Sequence, residues 1–194
     1  MDEPWLRSLI GTAAVEHRRL ASPGAFVRGW RIDTAPVLTD PRACAVAARL
    51  IRDLVAPLRP DAVVGIDRAG IPLAQAVAAL LALDHVPASA LGTVGTPQPP
   101  RRVVIIDDIV HSGRTARRTI RRVRRAGLMP LALACLIKYP SGRPIRLRAC
   151  TIPIYPAYSL GDFDLRRSGF RPWRAESALR AGERRGRRRD LRRR

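Results

Sequence analysis

Val103-Val104-Ile105-Ile106-Asp107-Asp108-Ile109-Val110-His111-Ser112-Gly113-Arg114-Thr115 is the stretch whose reading decides how this chain folds. Four consecutive β-branched apolar residues suit a strand buried on both faces, as in the middle of a parallel sheet. Two adjacent carboxylates follow at its carboxyl end, the edge at which open α/β sheets bind ligands. Residues 111–115 then supply two hydroxyls and a glycine ahead of an arginine-rich helix, so that backbone N–H groups and hydroxyls can converge on a phosphate. A sugar phosphate fits that order of groups. The same residues also read as a buried strand followed by a helix capped by Ser112 or Thr115, although paired acids ahead of such a loop exceed what capping requires.

A second segment, Asp61-Ala62-Val63-Val64-Gly65-Ile66-Asp67-Arg68-Ala69-Gly70-Ile71-Pro72-Leu73-Ala74, repeats the succession of strand, tight turn and helix start. Gly70 permits close backbone approach, and Pro72 is pre-set for a first helical turn. Outward from these two segments, helix and strand alternate. The pattern predicts an amphipathic opening over residues 5–20, helices over 42–58, 73–83 and 115–126, the last closed by Gly127, and strands over 63–66, 103–106, 131–137 and 148–154. Such alternation predicts an α/β fold, a mostly parallel central sheet with helices on both faces.

With 194 residues, 46% of them hydrophobic, the chain can bury a sizeable core without dividing in two. Its apolar runs are too short for a membrane span, and Met1-Asp2-Glu3-Pro4-Trp5 does not open a signal peptide; the expectation is a cytoplasmic protein without membrane contact. Cys44, Cys135 and Cys150 are widely spaced in apolar surroundings, which suits reduced core thiols and neither a disulfide framework nor a zinc site. His17 and His85, near a helix end and a loop, read as surface or cap residues.

The charge balance is lopsided, with 36 basic against 16 acidic side chains and a net charge of +20. Residues 183–194 hold eight arginines and almost no apolar content and should be disordered in isolation, a tail suited to nonspecific nucleic-acid contact. Arg117, Arg118, Arg121, Arg122, Arg124 and Arg125 add a basic stripe on the helix after the phosphate-type loop. Part of this excess reflects arginine bias, since Lys138 is the one lysine of the chain.

The strand, acid pair and Ser112-Gly113-Arg114-Thr115 loop resemble the type I phosphoribosyltransferases, whose hallmark is an apolar strand, two acids, two apolar residues and a Thr/Ser-Gly-x-Thr loop. The resemblance implies a Rossmann-like phosphoribosyltransferase fold with a small hood, and a pentosyltransferase that uses 5-phosphoribosyl-1-pyrophosphate (PRPP). It implies that Asp107 and Asp108 hold the ribose hydroxyls, that Ser112, Gly113, Arg114 and Thr115 wrap the 5-phosphate, and that Asp67, Arg68, Ala69 and Gly70 form the pyrophosphate loop. It divides the chain into an N-terminal helix and hood segment (1–41), a core (42–175) and the basic tail (176–194). Mg²⁺, held mainly by PRPP, is the implied cofactor, no protein ligand for it being assigned, and a homodimer the implied assembly.

Residues 6–15, 20–24, 30–33 and Pro41 follow the order of the orotate phosphoribosyltransferases in particular, and Trp30 is the aromatic nearest to where a base would lie. Two departures stand out: Ala25 and Phe26 occupy the place of a lysine, and residues 88–100 are too short for the long lysine-bearing catalytic loop of that family. Near the C-terminus, Cys135-Leu136-Ile137-Lys138-Tyr139 and residues 152–162 resemble the hypoxanthine-guanine enzymes, which implies that Lys138 reads an exocyclic carbonyl and Tyr155 stacks on the base. A solvated lysine and a core tyrosine fit those positions as well. His111 falls where the 6-oxopurine enzymes carry the carboxylate proposed to take the base proton. An imidazole there suits a general base, or a loop donor to phosphate. The implied reaction moves the 5-phosphoribosyl group to a nucleobase, an orotate-like pyrimidine or a 6-oxopurine, in nucleotide biosynthesis. Two other readings stay open: a PRPP-sensing nucleic-acid-binding regulator on the same fold, and a transferase acting on a hydroxyl or amine of a secondary metabolite.

Overall fold

The apolar runs around residues 63, 104 and 134 become the inner strands of one parallel sheet. A computed structural model describes residues 2–13, 15–16, 31–91, 101–139, 145–147 and 150–163. Its main strands are β3 (Ala62–Gly65), β4 (Asp84–Pro87), β5 (Arg102–Val110), β6 (Met129–Lys138) and β9 (Ile154–Ser159). They lie in the order β4-β3-β5-β6-β9, and every neighbouring pair is parallel. Two antiparallel ribbons flank the sheet in sequence, β1 (Val15–Glu16) with β2 (Arg31–Ile32), and β7 (Ile145–Leu147) with β8 (Cys150–Ile152). The helices are α1 (Asp2–Ala13), α2 (Ala35–Leu38), α3 (Pro41–Val55), α4 (Asp67–Leu81) and α5 (Arg114–Arg125).

Side-chain alternation sorts the core into two layers. Val64, Ile66, Val103, Ile105, Leu133 and Cys135 pack with Ala116, Ile120 and Val123 of α5 and with Ile145 and Ile152 of the β7–β8 ribbon. Burying Ile120 and Val123 stabilises by roughly 1.5–3 kcal/mol each and fixes α5 to the sheet. The intervening residues, among them Val63, Val104, Ile106 and Leu136, are equally buried, and α3 and α4 pack against the sheet from that side. Asp40 starts α3 by accepting from the Ala43 N–H at 2.8 Å, with Pro41 at the first helical position. Helices on both faces of a parallel sheet are the expected α/β architecture. No helix of the described residues is long and apolar enough to cross a membrane.

Four local expectations change. The opening helix stops at Ala13, and β1 follows at Val15, so the pattern over residues 5–20 is not one helix. The helix expected over 73–83 begins at Asp67, directly after the extended Ile66 (φ −96°, ψ 134°), and Pro72 lies inside it. A proline there forfeits its own N–H bond, a loss that apolar packing downstream outweighs. The strand expected over 148–154 is two strands: Pro153 has no N–H to give to a ladder, and the chain changes partners around it, from the β7–β8 ribbon to the sheet edge. His85 is neither a helix cap nor a freely solvated residue. It lies on β4 with its Nε2 buried and unpartnered, in space that Gly65 leaves by lacking a side chain: a Cβ there would meet that nitrogen at 3.0 Å. Cys44 and Cys135 are free thiols, as expected.

Candidate functional site

β3 ends with Gly65 opposite Ile106, whereas β6 continues beside β5 until Lys138 lies opposite Val110. The acid pair therefore stands within β5 and not beyond it, on a stretch paired on one side and open on the other. The start of α4 fills the open side. Gly70 presses so closely on β5 that a Cβ would lie 3.2 Å from the Ile106 carbonyl oxygen and 3.3 Å from Asp107 Cα. Here the expected close approach is realised, and the first turn of α4, residues 67–70, is held against the first acid. The side chains of Asp67, Arg68 and Ala69 are not among those described.

Asp107 is 6% exposed, and its Oδ1 accepts from the Asp108 N–H at 3.0 Å. Cys135 lies opposite it in register. Burial first, and then the charge of Asp107, push that thiol up to about 12, so Cys135 stays protonated and inert. Asp108 is only half-buried, and its Oδ2 accepts a short hydrogen bond from the hydroxyl of Thr34, itself 1% exposed. Thr34 precedes α2 in the segment between the β1–β2 ribbon and α3, and Asp33 accepts from the Ala35 N–H at 3.0 Å to shape that turn. The N-terminal segment thus reaches the acid pair through a buried hydroxyl.

Beyond Val110 the chain turns through His111, Ser112 and Gly113. Gly113 has φ +69°, a left-handed conformation that favours glycine, and its carbonyl accepts from the Arg117 N–H at 2.9 Å. It is the N-cap of α5, with no side-chain capping bond. The N-cap is therefore Gly113 and not Ser112 or Thr115, which leaves both hydroxyls outside the capping of the helix. Residues 107–116 line a cavity of about 160 Å³. Into it converge two carboxylates, two hydroxyls, an imidazole, a guanidinium and the first N–H groups of α5, which have no partner within a helix.

The His111 ring meets the Tyr139 ring edge to face, with centroids 4.7 Å apart and planes at 89°. Tyr139 follows β6, and its N–H donates to the Val110 carbonyl at 2.9 Å. Burial raises the Tyr139 phenol above its ordinary range, while a backbone hydrogen bond from Ile32 of β2 draws it back. Neither Thr34 nor Tyr139 is marked as a site residue by any motif of the sequence. Lys138 ends β6 between Val110 and Ser159, at the rim beside the cavity. Tyr155 lies opposite Ala134, four residues below that rim on edge strand β9, and is not brought to the cavity. Trp30 lies outside the described residues, as do His17, residues 92–100 of the short connection and the tail from 164 onward.

An acid-bearing parallel strand that runs into a phosphate-cradling loop defines an α/β protein built to hold a sugar phosphate. Comparison with known proteins carries this further. The chain is 30% identical over 158 residues to the adenine phosphoribosyltransferase of Bradyrhizobium sp., covering 68% of this chain and 84% of that one. It is 27% identical over 141 residues to the orotate phosphoribosyltransferase of Methanosarcina mazei, covering 69% and 75%. Among solved structures, Leishmania donovani UMP synthase superposes with a TM-score of 0.72 at 21% identity over 91% of this chain, which spans 41% of that longer one. Mycobacterium tuberculosis orotate phosphoribosyltransferase in complex with PRPP superposes with a TM-score of 0.66 at 20% identity, covering 84% and 98%. No protein-family model matches the chain. The two structures share its fold, and the sequence relatives settle the rest: this chain belongs to the type I phosphoribosyltransferase family.

Proposed function

We propose that the protein is a PRPP-dependent phosphoribosyltransferase of nucleotide metabolism, acting in the cytoplasm, that moves the 5-phosphoribosyl group to a nucleobase and releases pyrophosphate. The observation that carries this reading is the pressing of Gly70 onto Asp107, because it holds the backbone of the pyrophosphate-type turn against the first acid of a strand whose acid pair and following loop line one cavity. The N–H groups opening α5, with Ser112, Arg114 and Thr115, suit the 5-phosphate. Asp107 and Asp108 suit the ribose hydroxyls, with Asp108 the more accessible of the two and Thr34 fixing its orientation.

As the bond from ribose C1 to the pyrophosphate oxygen breaks, positive charge grows on the ring, and carboxylates held in a fixed arrangement stabilise it. The acceptor nitrogen then bonds to C1 and loses its proton, and His111, whose ring meets that of Tyr139, is the proposed acceptor of that proton. Among the described residues no three acidic, histidine or cysteine groups gather into a metal site. One or two hard carboxylate oxygens beside a polyphosphate are nevertheless what Mg²⁺ prefers, so Asp107 and Asp108 fit a cation carried in by PRPP. When bound, that ion would neutralise the leaving pyrophosphate. Lys138 at the rim is the candidate reader of the base, and a homodimer is the proposed assembly.

The test incubates the protein with PRPP, Mg²⁺ and a panel of orotate, uracil, hypoxanthine, guanine, xanthine and adenine, reading pyrophosphate release. Adenine enters the panel from the relatives, since the sequence motifs point only to orotate-like and 6-oxopurine bases. Release with at least one base is expected, and its abolition in the folded Asp107→Asn, Asp108→Asn double variant, with PRPP affinity weakened. A double variant that binds PRPP as tightly as the parent by calorimetry overturns the acid-pair assignment.

A further inference from the structure

α5 carries seven arginines in twelve residues, Arg114, Arg117, Arg118, Arg121, Arg122, Arg124 and Arg125, and no acidic residue. Of its five other positions, all but the exposed Thr115 are sorted just as sharply. Ala116, Thr119, Ile120 and Val123 are buried against the sheet. At 100° per residue they fill an arc of about 100°, and the arginines cover about 160° centred on the opposite side. Arg114, Arg118, Arg121 and Arg125 follow one another at spacings of four, three and four, a row of charge about 16 Å long. Among the described residues Arg118, Arg121 and Arg125 form no ion pair; the acidic side chains engage Arg7, Arg42, Arg49, Arg52 and Arg101 instead.

Such a helix works against itself. Like charges four residues apart repel, and Arg114 opposes the positive end of the helix dipole. A local electrostatic conflict of this size, on a face whose arginines are exposed or only partly buried among the described residues, points to a charged partner. We infer that the arginine face of α5 is a docking surface for the phosphate backbone of nucleic acid. Guanidinium forks match phosphate oxygens in pairs. A rigid row of about 16 Å runs past roughly ten phosphate charges of a duplex, which carries one per 1.7 Å of axis. A membrane surface fits less well, because an interfacial helix inserts exposed apolar side chains, and every apolar residue of α5 is already used by the core. Arg114 also lines the cavity, but Arg118, Arg121 and Arg125 lie outside it, and the surface they form does not depend on the transferase reading.

The full-length Arg118→Gln, Arg121→Gln, Arg125→Gln variant isolates the helix, since the basic tail is present in both proteins. Glutamine preserves helix propensity and relieves repulsion, so melting should be unchanged or raised. None of the three lines the cavity, so PRPP binding should also be unchanged. The probe is a fluorescently labelled random-sequence DNA duplex, followed by anisotropy over a series of KCl concentrations. The slope of log affinity against log salt should become shallower by about 2.7, or about 0.9 for each phosphate no longer neutralised, with affinity falling on the order of 10²-fold at about 0.1 M salt. A variant with the parent's slope and affinity overturns the inference by assigning all binding to the tail. Tighter binding of the parent to phosphatidylglycerol vesicles than to duplex overturns it in favour of a membrane. Displacement of the duplex by polyglutamate as readily as by unlabelled DNA of equal charge overturns it in favour of any polyanion.

Discussion

Gly70→Ala tests whether the pressing of α4 onto β5 serves the site. The added Cβ would stand 3.2 Å from the Ile106 carbonyl oxygen, 3.3 Å from Asp107 Cα and 3.5 Å from Asp107 Oδ1. β5 cannot yield there, because Ile106 is paired with Gly65 on one side and Ala134 on the other, and its carbonyl already accepts from the Ile66 N–H at 2.9 Å. The first turn of α4 must move instead, by a few tenths of an ångström. Overpacking by one methyl costs about 1–3 kcal/mol, and alanine's helix propensity offsets about 1 kcal/mol of it. A net loss of about 0–2 kcal/mol lowers Tm by at most about 8 °C. Catalysis should suffer more than stability, since a misplacement of about 1 Å costs on the order of 10²-fold and this shift is smaller; kcat/KM should drop about three- to tenfold. Gly161→Ala is the control, for its Cβ meets nothing within 4 Å. Melting curves and pyrophosphate-release kinetics read both effects. A Gly70→Ala protein with normal kcat/KM, whether or not its Tm falls, would show that the contact is packing alone.

Thr34→Val keeps the buried shape but removes the hydroxyl that donates to Asp108, and PRPP dissociation by calorimetry should weaken about tenfold, within the range of a hydrogen bond to a charged group, with Thr34→Ser restoring it; an unchanged affinity rejects the positioning role. His111→Ala should lower kcat by roughly 10²-fold or more while leaving PRPP affinity near the parent's. Normal kcat across the pH range would leave His111 as a loop residue only. Desolvation holds the His85 imidazole below its ordinary range, so the folded protein favours its neutral form and the unfolded chain binds the proton more readily. Its contribution to stability is complete above the unfolded value of about 6.5 and is lost as pH falls through the lower folded value. His85→Gln should therefore flatten the decline of Tm on the acid side of neutrality, and an acid limb identical to the parent's would refute the assignment.

The parts of the site that share one strand and its following loop could be read from the chain, because β-branched residues, paired acids and a glycine-bearing turn are adjacent in sequence and their chemistry is local. Gly70 was legible for a related reason, since few residues other than glycine suit a backbone that must touch another backbone. Thr34 was not. A threonine two residues before a proline at a helix start reads as a cap, yet in the fold it forms no capping bond and its hydroxyl crosses 74 positions of sequence to Asp108. Tyr139 was hidden behind its neighbour Lys138, whose charge is the stronger signal. The early start of α4 was obscured by Pro72, which marks a first turn far more often than a second one.

Strand register also separates the two residues first matched to the base. Lys138 is level with Val110 on one side and Ser159 on the other, at the carboxyl rim where the cavity opens. Tyr155 is four residues lower on β9, about 13 Å along the strand from Ser159, level with Ala134 and hence with Ile106. A planar base at the rim can meet the lysine but not a ring that far below it. Aromatic contact on the acceptor side must then come from a ring that does reach the rim. Tyr139 meets that condition: it directly follows β6, bonds to Val110, stands edge-on to His111 and bonds through β2 to the segment that also supplies Thr34. On the proposed assignment of the site, the N-terminal segment therefore bears on the ribose side through Asp108 and on the acceptor side through Tyr139. A displacement of that segment would disturb both halves of the reaction at once, so substitutions in it should change KM for PRPP and for the acceptor together.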